Sequence, residues 1–265
     1  MNLPIGFSPC PNDTFIFDAL VHQKIDTLGI QFTPVLEDVQ TLNEWALDAK
    51  LPISKISYGV WPLIKHSYQL LESGGALGKG VGPLLVARQP FNAKELDKAA
   101  IAIPGKNTTA HVLFSMAYPH CKNKVFLPFH EIEEAVLAGT VQAGVIIHEN
   151  RFTYAQKGLV KLADLGNIWE DKTHSPIPLG GIVASSTLPS SLIRTVDTLI
   201  QTSVQFAFDH YPTIPDFVKQ HAQEMDEVVM KQHIDLYVNN YSLALGEDGG
   251  KAVQLFEDAY LELAY

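Results

Sequence analysis

His148 is the residue around which chemistry can be argued. The run Ala143-Gly144-Val145-Ile146-Ile147 is small and β-branched, and it stops at His148-Glu149-Asn150-Arg151. A strand buried on both faces reads this way, and ligands of open α/β sheets bind beyond the carboxyl ends of such strands. A neutral imidazole at that point can take a proton near pH 7, so we read His148 as a general base. If 149–154 opens a helix, the positive end of that helix disfavours imidazolium and keeps the ring neutral. Glu149 could orient the ring or bind substrate, and Arg151 could pair with Glu149 or with an acidic ligand; the spacing does not choose. Taken alone, a histidine satisfied by a backbone hydrogen bond accounts for the same pattern.

Three more polar turns follow apolar runs. In Ser8-Pro9-Cys10-Pro11-Asn12-Asp13 two prolines fix the backbone, and Asn12 or Asp13 can cap the next helix. That leaves main-chain N–H groups aimed outward as an anion receptor, with Ser8, Asn12 and Asp13 as candidates. Ser54-Lys55-Ile56-Ser57-Tyr58 ends a strand with two hydroxyls and an ammonium, so Lys55, Ile56 and Ser57 could meet a carboxylate or phosphate. Gly105-Lys106-Asn107-Thr108-Thr109-Ala110 opens a helix whose first N–H groups favour an anion at Thr108, Thr109 and Ala110. A capped turn, a solvated lysine and a single threonine cap are the plainer accounts of the three.

Composition narrows the partner. Nineteen basic residues against 29 acidic ones give a formal charge of −10, which excludes a general phosphate-backbone binder but leaves room for a small anionic ligand. No apolar run approaches the roughly 20 residues of a membrane helix, so no membrane insertion is expected. Cys10 and Cys121 lie far apart with no metal-ligand spacing, so the reading is free thiols in a reducing compartment, with no metal. The first residues lack the features of an export signal, which predicts a cytoplasmic protein. Gly74 to Gly80 is one residue short of a phosphate-binding loop and has no Ser or Thr after Lys79, while His148-Glu149 lacks the second histidine of a zinc protease motif.

The elements that must position these residues alternate. Strands at 3–7, 28–35 and 51–56 enclose helices, and the pattern restarts with strands at 99–103 and 124–127, helices at 108–118 and 132–138, and the strand before His148. A return strand at 179–184 precedes three helical stretches at 190–209, 226–238 and 250–263. The expected division is a discontinuous lobe one, 1–88 plus 186–265, and an inserted lobe two, 89–185. Two crossings near Ala87 and Ala184 would form a double-stranded hinge.

Several segments together resemble the 1,4-dihydroxy-6-naphthoate synthase family of the futalosine route to menaquinone: Ser8-Pro-Cys-Pro-Asn-Asp-Thr-Phe15, Val35-Leu-Glu-Asp38, Thr41-Leu-Asn43, 73–84, and Ile146-Ile-His-Glu-Asn-Arg-Phe-Thr153. The resemblance implies an α/β fold of the two-lobe, periplasmic-binding-protein-like type II class with a helical C-terminal region. It implies a lyase acting on cyclic dehypoxanthinyl futalosine without a cofactor. The family's base falls on His148, and its substrate contacts fall on Lys55, Ile56, Ser57, Thr109 and Ala110, beside the turn from Ser8 to Asp13. Asn150, often serine in the family, and Lys106-Asn107 depart from its pattern. A non-catalytic solute-binding protein of the same fold and the related chorismate dehydratase are the competing readings.

Overall fold

Two strand-helix repeats build two sheets, and the cleft lies between them. The computed structural model describes residues 1–91, 93–222 and 226–263. In the first repeat β1 (Asn2–Phe7) buries Leu3, Ile5 and Phe7, then turns into α1 (Pro11–Val21). Pro11 stands in the first helical turn, where its missing N–H costs nothing. β2 (Gln31–Leu36) leads to α2 (Val39–Leu47), capped by the Asp38 carboxylate on the Gln40 and Thr41 N–H groups, and then to the wholly buried β3 (Ile53–Ser57). α3 (Trp61–Ile64), β4 (Tyr68–Leu70) and β5 (Ala76–Gly78) complete this part.

The second repeat runs β6 (Leu84–Ala87), α4 (Ala93–Leu96), β7 (Ile101–Ile103), α5 (Thr109–Ala117), β8 (Lys124–Phe126), α6 (Ile132–Ala138) and β9 (Ala143–Ile146). α7 (Asn150–Thr153), β10 (Val160–Asp164) and α8 (Leu165–Thr173) follow. The chain returns through β11 (Ile177–Ser185) to α9 (Ser190–His210), α10 (Asp216–His221), α11 (Glu227–Tyr237), α12 (Asn240–Leu243) and α13 (Gly246–Glu262). Among the described residues no helix is long and apolar enough to cross a membrane.

Strand order is β2-β1-β3-β11-β4 in the first sheet, with β5 also on β11, and β10-β6-β9-β7-β8 in the second. β2-β1-β3 and β8-β7-β9 are parallel, as helical crossovers require, and β11, β6 and β10 pair antiparallel. Both repeats therefore fold alike, and the mixed α/β class expected from the alternation is what forms.

The expected crossings move. β6 pairs with β9 and β10, and β11 pairs with β3, so the chain changes sheet within 79–83 and 174–176 rather than at Ala87 and Ala184. The borders at 88 and 186 thus place each strand in the wrong sheet. An apolar run with both faces buried is compatible with either sheet, because its hydrogen-bond partner is not written in its own residues.

Most of the C-terminal helices cover α1. Val196, Ile200 and Val204 of α9 and Ile234 of α11 share a core with Phe15, Ile16 and Leu20. The fully buried Ser203 hydroxyl donates to the Ile16 carbonyl at 2.6 Å. α13 goes elsewhere. Its Phe256 lies on Trp169 of α8, ring centroids 5.5 Å apart, in a core that includes Leu85 and Ile101 of the second sheet. Lys65, just after α3, forms an ion pair with Glu257. The last helix therefore ties the two sheets together. Phe256→Ala is expected to lower stability by about 3–5 kcal/mol, measured by denaturant unfolding, whereas a cost near zero would show that α13 merely covers the surface.

Candidate active site

The polar turns converge because β1, β3, β7 and β9 all end at one cleft. The cleft is lined by Ser8, Asn12 and Asp13 after β1, and by Lys55, Ile56 and Ser57 of β3. Thr108, Thr109 and Ala110 line it after β7, and Ile147 and His148 after β9. The candidate base and the residues of the three polar turns therefore stand on one wall or another, whereas Glu149 and Arg151 do not line the cleft.

The Ser8 turn is held by Asp13. Its carboxylate accepts from the Ser8 N–H at 3.2 Å, the Ser8 hydroxyl at 2.8 Å, the Asn12 amide at 2.8 Å and the Lys55 ammonium at 2.8 Å. Lys55 also donates to the Gly74 carbonyl at 3.2 Å. Its charge is neutralised inside the protein, and one N–H remains for a ligand. The free lysine charge of the sequence reading thus becomes a buried ion pair, with side chains 6% and 2% exposed.

Ser57 and the start of α5 form the second group. Asn43, fully buried on α2, accepts from the Ser57 N–H at 2.8 Å and donates to the Ser57 hydroxyl oxygen at 3.1 Å, so that hydroxyl keeps its own proton to give. The same amide donates to the Asn107 carbonyl at 3.1 Å, and Gln40 accepts from the Asn107 N–H at 3.2 Å, joining α2 to the second sheet's turn. Gly59 allows this approach, since a methyl group there would lie 2.5 Å from the Thr108 carbonyl carbon and 2.8 Å from the Thr109 nitrogen. Thr108 caps α5 through the His111 N–H, and the Thr109 hydroxyl donates to the Leu179 carbonyl at 2.8 Å. Both threonine hydroxyls are committed to the protein. What the turn offers a ligand is the set of first-turn N–H groups of α5.

His111 locks that turn from behind. Its Nδ1 lies 2.7 Å from the Lys106 carbonyl and its Nε2 3.1 Å from the Lys124 ammonium, so the neutral ring donates at one nitrogen and accepts at the other. Burial first, then Lys124, pushes it down to about 4. The folded protein then binds fewer protons than the unfolded chain between about pH 6.5 and 4. Stability supported by the neutral ring is full above that window and lost as pH falls through it. Urea midpoints measured from pH 7 to 4.5 are expected to fall more steeply for the native protein than for His111→Gln; parallel curves would contradict this.

His148 is held in a left-handed conformation, φ 55°, unusual for a residue with a side chain. Its ring meets Phe129 edge-on at 4.8 Å, its Nδ1 lies 3.6 Å from Cys10 Sγ, and the His233 ring stacks parallel at 6.1 Å. α7 is a single turn, too short to supply the dipole expected to keep the ring neutral. Burial and then Glu149 push the Cys10 thiol up, so it keeps its proton at neutral pH.

Arg151 pairs elsewhere than with Glu149: it donates to the Gly82 carbonyl at 2.6 Å and lies 3.6 Å from the Asp164 carboxylate. It bridges the segment before β6 to the end of β10.

A family profile described as menaquinone biosynthesis matches residues 3–262. The chain belongs to the menaquinone biosynthesis family. It is 47% identical over 258 residues to a 1,4-dihydroxy-6-naphthoate synthase of Thermus thermophilus, covering 97% of this chain and 93% of that one. A protein of the same name from Streptomyces coelicolor is 42% identical over 260 residues, covering 95% and 90%. Among solved structures, an alkanesulfonate-binding protein from Xanthomonas axonopodis pv. citri bound to MOPS superimposes with a TM-score of 0.72 at 14% identity, covering 100% of this chain and 94% of that one. The fold is thus the periplasmic-binding-protein-like one.

This family member also carries site residues that the sequence reading missed. Tyr237 of α11 lines the cleft, and burial pushes its hydroxyl up to about 12. His233, fully buried, lies with its Nε2 2.9 Å from Asn12 Oδ1 and its Nδ1 3.5 Å from Glu149. Burial, then His148, pushes it well down, so it is neutral. Met230, His233, Ile234 and Tyr237 recur at helical spacing on one buried face, and a histidine and a tyrosine on such a face were the available signal.

Proposed function

We propose that this chain is a lyase that converts cyclic dehypoxanthinyl futalosine to 1,4-dihydroxy-6-naphthoate, with His148 as the general base. Family membership supports an enzyme of menaquinone biosynthesis; the substrate and the base are our reading. The observation that carries it is His148, at φ 55°, on the same cleft as the N–H groups opening α5 and the Ser57 hydroxyl. Those donors suit a substrate carboxylate and ring hydroxyls, and the remaining Lys55 N–H adds a third contact. A neutral imidazole removes a proton from the bound substrate, which triggers carbon–carbon cleavage and release of the sugar-derived part as the ring aromatises. No cofactor is required by this scheme.

The two lobes hold the ligand by closing about the crossings at 79–83 and 174–176, and closure excludes water. Small-angle scattering is expected to show compaction on substrate binding; an unchanged radius would contradict closure. The deciding experiment for the function is to incubate the protein separately with cyclic dehypoxanthinyl futalosine and with chorismate, following each by mass spectrometry. Dihydroxynaphthoate formed from the first supports the reading. Loss of chorismate alone would make it a dehydratase, and binding of either without turnover would make it a receptor.

A further inference from the structure

Behind the cleft lies a buried carboxylate without hydrogen-bond donors among the described residues. Both Glu149 oxygens are buried, and neither has a hydrogen-bond partner among the described residues, although the residue is only 3% exposed. An unsatisfied buried carboxylate is costly and calls for a specific partner. The neighbour best placed to donate does not. Asn12 gives its amide N–H to Asp13, a carboxylate, so Asn12 Oδ1 must accept, and His233 Nε2 donates there. His233 Nδ1 makes no hydrogen bond among the described residues and lies 3.5 Å from Glu149, beyond a good hydrogen bond.

Cys10, His148 and Glu149 each bring one ligand atom to this place, all within 4.8 Å of one another. A tetrahedral ion with bonds of about 2.3 Å to sulfur and 2.05 Å to nitrogen separates those two ligands by about 3.6 Å. Cys10 Sγ and His148 Nδ1 are 3.6 Å apart. Thiolate, imidazole and carboxylate form a donor set suited to zinc, and three protein ligands leave a fourth position open. The two anionic ligands cancel a divalent charge, so the filled site is neutral and tolerates burial.

We propose that Cys10, His148 and Glu149 bind a thiophilic divalent cation, with Zn²⁺ the natural probe, and that the ion holds the His148 ring out of proton transfer. On binding, the S–H bond of Cys10 breaks, its proton leaves to solvent, and sulfur, nitrogen and oxygen lone pairs bond to the ion; nothing is oxidised or reduced. The inhibition rests on His148 being the base, whereas the site does not.

The test is a Co²⁺ titration of the reduced, metal-stripped full-length chain, followed by absorption. One equivalent is expected to produce a thiolate-to-cobalt charge-transfer band and four-coordinate visible bands, which Zn²⁺ abolishes by displacement. The charge-transfer band should vanish in Cys10→Ser and persist in Cys121→Ser, and Glu149→Gln should weaken binding at least tenfold. No charge-transfer band in the native chain, or a band that survives Cys10→Ser, would overturn the site. Turnover should fall in proportion to Zn²⁺ occupancy and return with a chelator. A bound ion that leaves turnover untouched would keep the site and overturn the inhibition together with the base assignment.

Discussion

Replacing His148 with alanine is expected to lower turnover by about 10² to 10⁴, the usual contribution of a positioned base, while substrate binding changes by only a few fold. The separation follows from the geometry. The groups assigned to hold the substrate are the first N–H groups of α5, the Ser57 hydroxyl and the third N–H of Lys55, and none of these is anchored by the imidazole. His148 adds a ring at the end of β9, supported by Phe129 and Cys10. Steady-state kinetics alongside calorimetric titration with substrate will show whether kcat alone drops. Partial recovery with added imidazole would identify a missing base rather than a disturbed fold. Near-normal turnover would sink the assignment. His148→Gly serves as a control for backbone strain, since glycine adopts a φ of 55° without penalty, and it should lose as much activity as alanine.

The second large effect is expected at Asp13. Asp13→Ala leaves the Lys55 ammonium buried with only the Gly74 carbonyl for company, and breaking one partner of a buried pair costs about 3–5 kcal/mol. Lys55→Met should cost clearly less. The Asp13 carboxylate would still accept from the Ser8 N–H and hydroxyl and from Asn12, so its charge remains hydrogen-bonded, whereas the lysine would have no counter-charge. Chemical denaturation of the two variants under one buffer gives the comparison. Equal losses, or a larger one for Lys55→Met, would show that the carboxylate depends on the lysine more than on the turn. Substrate affinity should fall in both, since Asp13 orders the Ser8 turn and Lys55 faces the cleft.

Much of this architecture is local and was therefore readable. Alternation in 2–7 and burial through 143–146 mark strands, Asp38 and Thr108 cap helices, and prolines at 9 and 11 fix a turn, all within a few residues of each other. From these the two repeats, the four strand ends and the candidate base follow, because strand ends of parallel units collect where ligands bind. The helix period of 227–237 was equally legible, but its polar members were absorbed into a covering helix.

By itself, then, the sequence determined the α/β repeats, the polar turns and His148 at a strand end. The tertiary structure alone decided their relations. β6 and β11 exchange sheets relative to expectation, since apolar runs carry no address. Lys55 finds Asp13 across 42 residues, and Arg151 takes Gly82 and Asp164 rather than Glu149. Cys10 meets His148 across 138 residues, a juxtaposition that spacing along the chain does not show. Short-range steric and hydrogen-bond preferences are encoded residue by residue, but which distant groups meet depends on sheet pairing and lobe packing, settled only when the whole chain is assembled.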